Sequence, residues 1–159
     1  MARCRARRVA GARTMNALVR RYLRTAIVFL ALGVGLGVWL MVAREFGAAV
    51  PMRLRSAHTH ALLVGFMMLM ITGVALWMFP RPRPEDTVFR PGLAALAWWG
   101  IAGGTAMRVG LEITLTPLPT LPWRVALVTA GVVQALGMLL FFATMWTRIR
   151  ASGALSERR

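Results

Sequence analysis

Four apolar stretches set the terms for this chain: residues 25–43, 61–79, 92–111 and 125–146, of which only the third carries a charge, Arg108. A hydrocarbon core about 30 Å thick calls for roughly 20 mostly apolar residues per helix, and no fifth stretch qualifies. Backbone polar groups in lipid must be satisfied within their own segment, so each span is a helix. The expected class is all-α: a polytopic membrane protein with four transmembrane helices in a bundle. Residues 1–24 form a basic segment, 25–147 the transmembrane domain and 148–159 a basic tail.

The charge balance fits this class and excludes others. Twenty basic residues face five acidic ones, a net charge of +15, in a chain that is 58% hydrophobic with a mean hydropathy of +0.62. A soluble nucleic-acid binder would spread its charge over a polar surface, and a disordered basic tail would lack the aliphatic mass. Here nearly all the charge falls in connecting segments, which points to a lipid bilayer and to no nucleic acid. All twenty basic residues are arginine, a choice that reflects coding bias more than function.

Arginine placement predicts orientation. With four spans, the N-terminus, the 80–91 loop and the C-terminal tail share one side, and that side holds fifteen of the twenty arginines. The positive-inside rule makes it the cytoplasm, with both termini there. Trp39, Trp77, Trp123 and Trp146 lie near span ends, where indole rings prefer the interface, whereas Trp98 and Trp99 sit deeper and are expected to pack between helices. The first apolar run exceeds a signal-peptide core and lacks a clear cleavage site, so it reads as a retained helix. Residues 1–14 show no regular pattern; a solvated tail, a lipid-contacting arm and an upstream extension of the start all fit. Cys4 lies on the reducing side, which excludes a disulfide framework. Pro80, Pro82 and Pro84 alternate with Arg81 and Arg83 in a stiff extended connector.

Small residues supply the packing surfaces that lipid-embedded helices need: Gly33-x-x-x-Gly37 in the first span, Gly100-x-x-x-Gly104 with Ala97 and Gly103 in the third, and Gly131 in the fourth. Ionisable residues at membrane depth are the default functional candidates, and they are few: His58, His60, Arg108 and Glu112, with the polar Gln134. All but Gln134 fall near the non-cytoplasmic face, with Arg53, Arg55 and Arg124 around them. On a helix His58 and His60 project about 200° apart. His58 shares its face with Ala61, Gly65 and Thr72, and His60 with Val64, Met67, Ile71 and Val74. The small-residue face admits a neighbouring helix or a flat macrocycle, which favours His58 as a ligand. If residues 56–60 are extended, His-x-His could instead grip copper or zinc, with Glu112 or Met107 as the only further donors. The plainer readings stand beside these: histidines as interfacial caps, Arg108 paired with Glu112 at i+4, and Gln134 as interhelical glue rather than a quinone ligand.

Residues 53–60, running into Gly65 and on to Trp77-Met78-Phe79-Pro80-Arg81, resemble the second helix of heme–copper oxidase subunit I. The likeness is to the C-type (cytochrome cbb) branch and to the related nitric oxide reductases and NnrS-like proteins. Leu96-Ala97-Trp98-Trp99-Gly100 and Trp123 resemble its next two helices, so the likeness covers the chain from Met15 onward. It implies that His58, and more weakly His60, is an axial ligand of a low-spin heme iron. It also implies that Arg53 and Arg55 contact the propionates, with Arg108 nearby. In that family the second axial ligand, the high-spin heme ligand and the copper-ligating histidines lie on later helices. His58 and His60 are the only histidines here, so oxygen or nitric oxide reduction by this chain alone is excluded on ligand count. The expectation is a heme-binding protein of a bacterial inner membrane, accessory or electron-transferring in respiration or nitrogen-oxide metabolism, as a homo-oligomer or part of a larger complex. The alternatives are a cofactor-free structural or assembly subunit and a His-x-His metal-handling protein.

Overall fold

The computed structural model describes residues 2–79, 91–114 and 120–146, with side chains from Ala17 onward. The 80–90 connector and the tail after 146 lie outside the described residues. Helix α1 runs Ala2–Glu45, beginning well before the first apolar stretch. Its leading segment, expected to lack regular structure, is Ala- and Arg-rich, and both are strong helix formers. Pro51, in extended backbone, is followed by α2 (Met52–His60), a π-helical segment (Ala61–Met68) and α3 (Leu69–Met78), which together make one continuous rod. That rod starts nine residues ahead of the expected span, so both histidines are helical. Helices α4 (Pro91–Ile113) and α5 (Leu121–Met145) complete the chain, which is all-helical among the described residues.

Three rods are long and apolar enough to cross a membrane: Ala17–Glu45, Met52–Met78 and Leu121–Met145. Helix α4 is long enough, at 23 residues or about 34 Å, but Trp98, Trp99, Arg108 and five glycines dilute its hydropathy. It is also well enclosed, burying Ala94, Ala97, Ile101, Gly104, Thr105, Val109 and Glu112.

Glycine contacts fix the register. Along α1 and its partner rod, a Cβ on Gly37 would lie 2.7 Å from the His58 ring, and one on Gly33 would lie 2.5 Å from Leu62. Further along, a Cβ on Gly65 would meet Phe29 and one on Gly73 would meet Tyr22 and Leu23. Rising numbers on one rod meet falling numbers on the other, so the two are antiparallel, with large side chains seated over glycines. Between α4 and α5 the same antiparallel order pairs Gly100 with Gly137 and Gly104 with Gln134 and Ala130.

The bundle is less closed than a square of four helices. Helix α5 packs chiefly on α4, and α4 in turn on α2. At the other end from the histidines, fully buried Tyr22 ties the rods together. Its hydroxyl donates to the Ala94 carbonyl at 2.8 Å, and its ring centroid lies 6.0 Å from that of Phe141. Trp39, Trp77 and Trp146 are exposed, as interfacial indoles require. Trp99, expected between helices, is 62% exposed and leans edge-on against Trp98.

Candidate functional site

The helical state of α2 decides what its two histidines can do. Along the rod that α2 opens, Ala57, Ala61, Gly65, Leu69 and Thr72 form the buried face, while Met67, Ile71 and Val74 are exposed. The face assignment read from spacing therefore holds, and each imidazole goes to a different neighbour. His58 Nδ1 donates to the Gly33 carbonyl at 2.8 Å. A carbonyl oxygen only accepts, so the proton sits on Nδ1 and a neutral ring keeps its lone pair on Nε2. Gly37 makes room for that ring, because a Cβ there would stand 2.7 Å from Cε1 and 3.2 Å from Nδ1. The Gly33-x-x-x-Gly37 pair, read as a packing stripe, packs Leu62 at Gly33 and seats the His58 imidazole at Gly37. Fixing a ring through Nδ1 while freeing Nε2 is how proteins hold a metal-ligating histidine.

His60 turns back onto its own helix. Its Nδ1 lies 2.9 Å from the Ser56 carbonyl and 3.3 Å from Ser56 Oγ. Ser56 Oγ in turn donates to Glu112 Oε1 at 2.8 Å, joining α2 to α4. Arg108 Nε donates to the same oxygen at 3.3 Å, the i+4 pair read from the sequence. Glu112 is 3% exposed, and its Oε2 is a buried acceptor with no hydrogen-bond partner among the described residues. Arg108 reaches α5, where a Cβ on Gly131 would lie 3.0 Å from its Nη1.

The remaining arginines do not converge. Arg53 lies 4.5 Å above the Trp123 ring, a cation–π contact between α2 and α5. Exposed Arg55 lines a different cleft, with Leu40, Met41, Arg44 and Val50. Arg124 is exposed at the start of α5. Gln134 is buried and donates through Nε2 to Thr105 Oγ1 at 3.1 Å, the interhelical bond expected of it.

A shared His-x-His grip on copper or zinc requires an extended 56–60 segment, and the helix removes it. Among the described residues no three His, Cys, Asp or Glu side chains gather into a metal-holding group. Met107 is 46% exposed on α4, on a different helix from Gly37, which seats His58. Ser56 and the hub role of Glu112 escaped the sequence reading, although Ser56 lies one helical turn before His60, a spacing that signals a local bond. The cleft role of Arg44 escaped it too.

A family model described as cytochrome C and quinol oxidase polypeptide I matches residues 17–157. No curated protein and no solved structure matches the chain.

Proposed function

Because the chain belongs to the cytochrome c and quinol oxidase polypeptide I family, a family of membrane proteins of heme–copper oxidase subunit I type, we propose that it binds one heme through His58. The observation that carries this reading is the 2.8 Å bond from His58 Nδ1 to the Gly33 carbonyl, which fixes the ring against the neighbouring helix and keeps the lone pair on Nε2. The chemistry of the donor set fits: a neutral imidazole held over a glycine, with Arg55 one turn earlier on the same rod. Arg55 and Arg44 line one cleft and are the residues to hold propionates, since a guanidinium pairs a carboxylate bidentately. Arg53 is engaged on Trp123 and Arg108 on Glu112, so both act as braces around the site. A bound heme would supply one-electron redox chemistry; the chain's own residues orient the ligand and shield it within the helices.

Four spans, with both termini on the cytoplasmic side of a bacterial inner membrane, complete the proposal. The length of α4 and the arginine asymmetry support it. The second axial ligand comes from a partner chain or a second copy, which gives the protein an accessory or electron-transfer role in a respiratory or nitrogen-oxide-reducing complex.

One observation favours a second reading, a cofactor-free assembly subunit: the Ser56–Glu112 bond ties α2 to α4, with His60 and Arg108 bonded to its two ends. Purification from heme-replete cells followed by a reduced-minus-oxidised spectrum separates the two. A Soret band that co-purifies stoichiometrically supports the heme reading, and a colourless protein selects the structural one.

A further inference from the structure

We propose that the cleft between α1 and α3, at the Tyr22 end of the molecule, binds an anionic glycerophospholipid, its phosphate on Arg20 and an acyl chain along Leu23 and Val74. The cleft encloses about 310 Å³ and is walled by Val19, Arg20, Leu23, Val74 and Trp77. One guanidinium, one indole that is 73% exposed and three aliphatic side chains complement an amphiphile. A small soluble anion would gain nothing from the aliphatic walls. The contact that sets the cleft is Gly73, where a Cβ would lie 2.9 Å from Tyr22 Cβ and 3.2 Å from Leu23 Cδ2.

Charge complementarity selects the headgroup. Arg20, the cation of the cleft, is exposed on α1, and the first acidic residue in the chain is Glu45, at the far end of the helix. Helix α1 carries no carboxylate along this rim, so an anionic headgroup complements it. On the topology proposed above the cleft faces the cytoplasmic leaflet, where basic pockets between helices capture anionic lipid. The inference is independent of the heme reading.

The test uses the whole chain in bilayer discs of phosphatidylcholine with or without phosphatidylglycerol. Lipid retained on the protein is read by native mass spectrometry, and thermal unfolding confirms that each variant is folded. Wild type retains phosphatidylglycerol in preference to phosphatidylcholine. Arg20→Gln lowers that retention about fivefold, the effect of one arginine at a membrane surface. Trp77→Ala lowers it as well, by removing a wall, while Arg24→Gln, outside the cleft, leaves it nearly unchanged. An absent preference in wild type overturns the proposal. So does equal loss in Arg20→Gln and Arg24→Gln, which marks diffuse attraction in place of a site.

Discussion

Two Gly-x-x-x-Gly pairs, identical in spacing, do different things in this molecule. Gly100 and Gly104 on α4 face backbone: a Cβ on Gly100 would lie 2.9 Å from Gly137 Cα, and one on Gly104 would lie 2.8 Å from the Gln134 nitrogen. Gly33 and Gly37 on α1 face side chains, Leu62 and His58. The first pair brings two helices into main-chain contact, and the second opens room for two side chains, a leucine at Gly33 and an imidazole at Gly37. Lipid offers no hydrophobic drive for helices to associate, so both seams depend on close fit. They differ in tolerance: a backbone cannot step aside, whereas a side chain can rotate.

That contrast ranks the expected effects of substitution. Gly137→Val is the most damaging, because a Cβ there would meet Ile101 N at 2.7 Å and Gly100 C at 2.8 Å. Overpacking against an immovable wall costs about 3 kcal/mol, and denaturant unfolding in detergent should show α5 detaching from α4. Glu112→Ala comes next. It removes the acceptor for Ser56 and Arg108 and should lower stability by about 2 kcal/mol, since a part-buried cation loses its partner. Glu112→Gln, which keeps an acceptor for Ser56, should recover about half of that in the same unfolding assay. Gly37→Ala should cost only about 1 kcal/mol, because the His58 ring can swing away. It should nonetheless abolish the Nδ1–H···O=C bond, visible as a changed histidine ¹⁵N tautomer signal by NMR. Gln134→Leu is the mildest, at about 0.6 kcal/mol for one interhelical hydrogen bond. If Gly37→Ala proved as destabilising as Gly137→Val, the distinction between the two seams would fail.

The sequence carried the periodic features and missed those that depend on a neighbour. Spacing alone put Ala61, Gly65 and Thr72 on one face and Met67, Ile71 and Val74 on the other, and burial follows that division. The Arg108–Glu112 pair and the Gln134 bond were legible for the same reason: short-range spacing and a lone polar group in lipid leave few alternatives. The start of the second rod at Met52 was hidden because Arg53 and Arg55 break its hydropathy without breaking its helix. The π-helical segment Ala61–Met68 contains no proline or other local mark that would announce it. Arg53 over Trp123 joins residues seventy apart, and no local pattern announces such a pair. The receptacle for His58 needed both rods in register before Gly37 could be read as its floor.

The two histidines, two residues apart on one helix, differ in what holds them. His58 is bonded through Nδ1 to the Gly33 carbonyl of α1, across the helix interface, and His60 through Nδ1 to the Ser56 carbonyl of its own helix. Reduced-minus-oxidised spectra of wild type, His58→Ala and His60→Ala from heme-replete cells test this most directly. The expected result is a heme band in wild type that persists in His60→Ala and disappears in His58→Ala while the protein stays folded. A band that survives in His58→Ala, or vanishes only in His60→Ala, would contradict it.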